Sequence, residues 1–241
     1  MGVDIMETDV RKSRDGYLVM IHDDQVDRTT DGKGKVSQLT LAQLKALHLR
    51  QNEGGADASL TDQTILTLDE ILALAKGRIV LNLDVKDAIY AEVIDAVCRA
   101  NAQDRVIVKT SAGAASQPLA SMVPYDRVPF MVIPVSSEAD GSDIPGIIAK
   151  QTAASRKPIA IELPLMPASA LPAVAERAGT DHVALWVNTL WFGFVTGVGG
   201  DVDALRMPEA VWGRLNKAGV TVFQTDEPEA LVAFRTRLRG R

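Results

Sequence analysis

Short apolar runs of strand length recur along the chain at residues 3–9, 78–84, 105–109, 127–133, 158–162, 182–187 and 220–224. Each is bounded by turn residues or by a stretch of helical spacing. Between them, apolar residues return at helical intervals over 88–100 (Ile89, Val93, Val97), 171–178 and 207–218, the last two with Pro172 and Pro208 in their first turns. Apolar strands alternating with amphipathic helices predict βα units around a parallel sheet buried on both faces, so the class is α/β. Seven such strands in a chain of 241 residues suit a TIM (β/α)8-type barrel, which needs eight. An open doubly wound sheet satisfies the same pattern.

Two stretches break the alternation. Residues 6–23 hold two extended runs on either side of Asp15-Gly16, with no room for a crossover helix, which predicts a β-hairpin. With Asp15-Gly16 as a two-residue loop, Arg14 faces Tyr17, and the register runs down to Asp9 opposite His22. Residues 24–67 are polar, carry Gly32, Gly34, Gly54 and Gly55, and surround one short helix at 40–48. They read as a long insertion serving an active site in a single domain spanning 1–241. Residues 183–200 carry no charge, but Asn188, two threonines and four glycines make them a strand followed by a loop, not a membrane span.

Composition narrows the function. Lys plus Arg number 26 against 31 Asp plus Glu, a net charge of −5, and aromatics make up only 5%, which excludes the basic, stacking surface of a nucleic-acid binder. With 46% hydrophobic and 24% charged residues the chain is an ordinary globular domain. Cys98 is the single cysteine, so neither an intrachain disulfide nor a multi-cysteine zinc site can form. Met1-Gly2-Val3-Asp4 leads straight into a strand without a basic, apolar leader. The expected location is cytoplasmic as written, and secreted or periplasmic if a longer N-terminus precedes it.

Glu7 and Asp9 lie two apart on a strand and therefore share a face, where they repel one another. A divalent cation relieves that repulsion, and hard oxygen donors suit Mg²⁺ or Ca²⁺ better than zinc. Solvation, or pairing with arginine, would relieve it equally. The hairpin register adds His22 beside Asp9, and Asp84 and Lys86 share a face at the end of another strand. Three carboxylates, a histidine and a lysine on the rim of parallel strands would make an anion site, with metal and lysine neutralising a phosphate and histidine moving protons. His48, closing the insertion helix, and His182, opening a strand at the opposite rim, are weaker candidates. The glycine-rich stretch 196–203, with Asp201 and Asp203, reads as a surface loop.

The ordered set Glu7-Thr8-Asp9-Val10, Asp15-Gly16, His22-Asp23 and Arg28-Thr29-Thr30 with Gly32 and Gly34 resembles the signature of glycerophosphodiester phosphodiesterases. The resemblance continues through Leu66-Thr67-Leu68-Asp69-Glu70, Asn82-Leu83-Asp84-Val85-Lys86, Trp186-Val187-Asn188 and Thr225-Asp226-Glu227-Pro228. It implies a TIM barrel that hydrolyses glycerophosphodiesters, a small-molecule substrate class, to glycerol phosphate and an alcohol with Mg²⁺ or Ca²⁺. By position, Glu7, Asp9 and Asp84 would be metal ligands, His22 a proton-transfer residue and Lys86 a phosphate contact, while Trp186 and Asn188 would line the substrate pocket.

The sequence departs from that family in three ways. The family opens with a strand ending in His-Arg-Gly and a helix carrying Glu-Asn-Thr, and Met1 falls after both. That absence matches the strand count of seven and removes a second proton-transfer histidine, which would impair turnover. Strand edges left open by such a gap would favour a homo-oligomer. Asp84 stands where glutamate is usual, and Leu66 replaces a common proline. Two alternatives therefore stay beside hydrolysis: an inactive barrel that binds metal and phosphodiester, and a related phospholipase-type phosphodiesterase.

Overall fold

A computed structural model describes residues 2–52 and 54–240. The chain forms two compact units, Ile5–Val108 and Lys109–Arg241, the latter joined by Met1–Asp4. In the first unit the elements are β1 (Ile5–Lys12), β2 (Leu18–Met20), α1 (Leu41–Lys45), β3 (His48–Arg50), β4 (Leu60–Thr64), α2 (Leu68–Ala75), β5 (Val80–Val85) and α3 (Tyr90–Arg99). β6 (Val106–Gly113) runs across the boundary.

β1 pairs in parallel with β5, from Ile5 opposite Val80 to Val10 opposite Val85. Strand alternation puts Leu81, Leu83 and Val85 on one face of β5, all buried, and Asn82 and Asp84 on the other. α2 packs against β5 and α3. Its N-terminus is set by a capping box in which Thr67 accepts from the Glu70 amide and Glu70 accepts from that of Thr67. Leu68, Leu72 and Ala75 form its buried stripe.

The hairpin forms where expected but in a different register. Val10, Arg11 and Lys12 pair with Met20, Val19 and Leu18. The loop is three residues long because Ser13 closes it: its amide donates to Tyr17 O (2.9 Å), and its hydroxyl accepts the Tyr17 amide (2.9 Å) while donating to Asp15 Oδ1 (2.7 Å). Gly16 takes the left-handed conformation that such a loop requires, φ +89°. Asp9 therefore faces Ile21, whose amide donates to Asp9 O (3.1 Å), and not His22. A one-residue slip changes which side chains are neighbours across the hairpin.

The polar insertion has its own core. Val26, Val36, Leu44 and Ile65 close against Val19 and Ile21 of the hairpin arm, with Leu39, Leu41, Leu47 and Leu49 packed around them. The helix expected at 40–48 ends at Lys45, and His48 opens β3, which pairs with β4 in an antiparallel ribbon.

In the second unit the elements are β7 (Phe130–Val135), α4 (Ile144–Thr152), β8 (Ala160–Glu162), β9 (Met166–Pro167), α5 (Leu171–Asp181), β10 (Ala184–Asn188), β11 (Val195–Thr196), α6 (Asp201–Ala204), α7 (Arg214–Lys217), β12 (Val222–Gln224) and α8 (Pro228–Arg239). β7, β8, β10 and β12 lie side by side in parallel. The helix expected at 207–218 starts as a π-helical turn, Glu209–Gly213, before α7. That turn buries Trp212 against Phe234 of α8, ring centres 5.8 Å apart. Residues 183–200 hold β10, a loop and β11, and among the described residues no helix is long and apolar enough to cross a membrane. All seven strands expected from the sequence are thus present, and the fold class is α/β.

Leu44 is fully buried in the insertion core. Leu44→Ala should cost about 2–5 kcal/mol in urea unfolding, whereas an unchanged midpoint would show that this core does not support the fold.

Candidate functional site

The β1–β5 register assembles the site. Asp9 lies beside Asp84 in the ladder, Glu7 beside Asn82, and the side chains of all four alternate onto one face. Carboxylate oxygens of Glu7, Asp9 and Asp84 all lie within 4.8 Å of one another. Lys86, two residues past Asp84, places Nζ 2.8 Å from Asp84 Oδ2 and 3.0 Å from Asp9 Oδ1. Burial works against the Lys86 ammonium, but the bond to Asp84 and the negative charges of Asp9 and Asp84 outweigh it, raising the Lys86 pKa above the ordinary lysine value.

Two features show that this cluster suits a hard divalent cation. Its donors are carboxylate oxygens converging from two adjacent strands, the chemistry Mg²⁺ and Ca²⁺ take. Asp9 Oδ1 is enclosed, yet among the described residues it accepts no well-formed hydrogen bond, its near neighbours being the Lys86 ammonium at 3.0 Å and the other two carboxylates. Such an oxygen has a lone pair available for an ion.

His22 stands apart from the triad, since its ring nitrogens are not among the atoms that close within 4.8 Å. It follows β2 and is largely exposed, with Nδ1 2.8 Å from Asp23 Oδ1. Arg28 grips Asp23 side-on, Nε to Oδ2 at 2.7 Å and Nη2 to Oδ1 at 2.9 Å. The guanidinium, working against partial burial and aided by His22, holds the Asp23 carboxyl well below the usual carboxylate range. An ionised carboxylate only accepts hydrogen bonds, so the tautomer that satisfies this contact is the one with its proton on Nδ1. Arg11 fixes the same residue from behind, its Nε donating to His22 O (2.8 Å) while Nη1 pairs with Asp87 (3.1 Å).

Trp186 and Asn188 belong to the second unit and are buried. Trp186 Nε1 donates to Asn188 Oδ1 (3.0 Å) and Gln224 Oε1 (3.3 Å), and Asn188 Nδ2 donates to Glu162 Oε1 (2.9 Å). Lys109 Nζ lies 3.7 Å from the other oxygen of Glu162, so the network is closed by a buried ion pair. Neither weaker histidine joins a site: His48 pairs with Asp31 at 3.1 Å, and His182 caps α5 in the left-handed conformation. Asp201, expected in a surface loop, is buried, accepting from the Thr189 hydroxyl (2.6 Å) and the Asp226 amide (2.9 Å). The roles of Asp23 and Arg28 and the position of Asn82 were not singled out from sequence. A polar residue amid the apolar run of β5, two positions before Asp84, was the available signal for Asn82.

Comparison with known proteins places this geometry. A glycerophosphodiester phosphodiesterase of Caldanaerobacter subterraneus subsp. tengcongensis is 31% identical over 135 residues, covering 53% of this chain and 54% of that protein. One of Bacillus altitudinis is 29% identical over 150 residues, covering 58% and 59%. The chain spans somewhat over half the length of these curated relatives. Crystal structures of a glycerophosphodiester phosphodiesterase from Agrobacterium tumefaciens (TM-score 0.64, 22% identity, 95% of this chain and 86% of that one) and of a glycerophosphoryl diester phosphodiesterase from Parabacteroides distasonis (TM-score 0.66, 24% identity, 95% and 76%) share the α/β fold of TIM-barrel type. The profile of the glycerophosphoryl diester phosphodiesterase family runs over residues 1–230, through both strands that carry the carboxylate triad, and the chain belongs to that family.

Proposed function

We propose that the chain hydrolyses glycerophosphodiesters to glycerol phosphate and an alcohol in a reaction that depends on a divalent cation, Mg²⁺ or Ca²⁺. The observation that carries this reading is the triad of Glu7, Asp9 and Asp84 with Lys86 Nζ between two of its members. Family membership and the names of the relatives support the substrate class. Glu7, Asp9 and Asp84 are the residues that would hold the cation, and a bound cation supplies charge neutralisation and polarisation of the phosphate.

The remaining work falls to side chains of this chain. Lys86 is an ammonium at physiological pH, as an ordinary lysine is, and its flexible stem lets Nζ turn from the carboxylates to a nonbridging phosphate oxygen. His22 performs a proton transfer at Nε2, either to the leaving alcohol oxygen or from the attacking nucleophile. Asp23 keeps the proton on Nδ1 and stabilises the imidazolium formed in that transfer, and Arg28 keeps Asp23 ionised and oriented. Trp186 and Asn188, the substrate-contact residues of this reading, have polar atoms already bonded to one another, to Glu162 and to Gln224, so what they offer a substrate is apolar ring surface and shape.

Hydrolysis of glycerophosphocholine should require Mg²⁺ or Ca²⁺ and stop on chelation. Asp9→Asn should weaken cation affinity in calorimetry and lower turnover together, and a variant with parental affinity would remove Asp9 from the ligand set. His22→Ala should lower kcat by about 10²–10⁴-fold with cation affinity preserved. Asp23→Asn should lower kcat at unchanged affinity and move the His22 proton between ring nitrogens, read from ¹⁵N imidazole shifts. Parental kcat in His22→Ala would end its proposed role.

A further inference from the structure

We infer that Asn82 is a positioning residue of the cation site, its Nδ2–H donating to the Glu7 carboxylate when that carboxylate ligates the ion. The inference rests on the reading of the triad proposed above. β5 runs Val80-Leu81-Asn82-Leu83-Asp84-Val85, so Asn82 interrupts an apolar strand on the same face as Asp84. It is completely buried, and neither Nδ2 nor Oδ1 has a hydrogen-bond partner among the described residues. The parallel register makes it the neighbour of Glu7.

A buried carboxamide with both ends unsatisfied destabilises a fold, and a leucine in this strand would avoid that penalty. Its presence makes sense if its partner is completed only when the site is loaded. On its own strand the next group on this face is Asp84, which Lys86 already engages at 2.8 Å. Across the ladder to β1 the next group is Glu7. A carboxylate offers about four lone-pair directions, so one oxygen can bind a cation while the other accepts from Asn82. The choice of side chain fits the task. An amide supplies a donor without adding to the repulsion, as a fourth carboxylate would, and without neutralising the triad, as a second lysine would. Hydrogen bonds from outside the ligand set that fix the orientation of a ligating carboxylate are a general requirement of metal sites.

The test compares Mg²⁺ and Ca²⁺ titration calorimetry of the parent chain and Asn82→Leu, together with thermal unfolding without metal. The expected result is cation affinity weakened by about 10–100-fold at a metal-free Tm equal to or above that of the parent. Equal affinity in the two proteins overturns the inference while leaving the triad intact, whereas a parent that binds no cation overturns both. Should Asn82→Leu fail to fold, the side-chain amide resonances of Asn82 in the ¹⁵N-labelled parent decide. A downfield shift with slowed exchange on saturation supports the hydrogen bond, and unmoved resonances exclude it.

Discussion

Parallel pairing of β1 with β5 sets Asp9 against Asp84 and places Glu7 one step below, so the strands can associate only if the repulsion among three carboxylates is answered. Two things answer it in this chain. Leu81, Leu83 and Val85 bury the opposite face of β5, which fixes the register through the hydrophobic effect, and Lys86 extends its ammonium between Asp9 and Asp84. Carboxylate and counter-charge thus come from one stretch of chain, Asp84 in β5 and Lys86 just past its end. Lysine is a compact charge on a flexible stem, so one ammonium reaches both Asp9 and Asp84.

The rest of the first unit continues from that register. β1 extends past the acids to Lys12 because Arg11 and Lys12 pair with β2, and the three-residue loop closed by Ser13 decides where β2 starts. That loop delivers the chain to His22, where Arg28, Asp23 and Arg11 fix the imidazole and its backbone from separate directions. Arg28 comes from the insertion, whose Leu44-centred core packs on the hairpin arm, so the polar stretch contributes orientation to the site as well as a small core.

What could be read from the sequence follows which forces are local. The seven strands were legible because each is an apolar run between turn residues, and the pair Glu7 and Asp9 because residues two apart on a strand share a face, while the grouping of Asp84 with them as a ligand came from the family resemblance. The hairpin register was not. It turns on whether the Ser13 hydroxyl accepts the Tyr17 amide, a choice that the Asp15-Gly16 pair alone does not make. The helix at 40–48 was overextended because His48 finds Asp31 and β4 instead of another helical turn. Trp186 and Asn188 were visible as residues but not as a network, since their partners Gln224 and Glu162 lie 38 and 26 positions away. Asn82 sat inside a recognisable motif and drew no attention, because its burial and its lack of partners are properties of packing.

The central claim is that Glu7, Asp9 and Asp84 hold a divalent cation and that Lys86 yields to it. Anomalous diffraction from crystals equilibrated with Mn²⁺ tests this directly. The account predicts one ion bonded by oxygens of all three carboxylates, with Lys86 Nζ withdrawn from Asp9 Oδ1. Lys86 still bridging Asp9 and Asp84, with the ion bound elsewhere in an active protein, would contradict it.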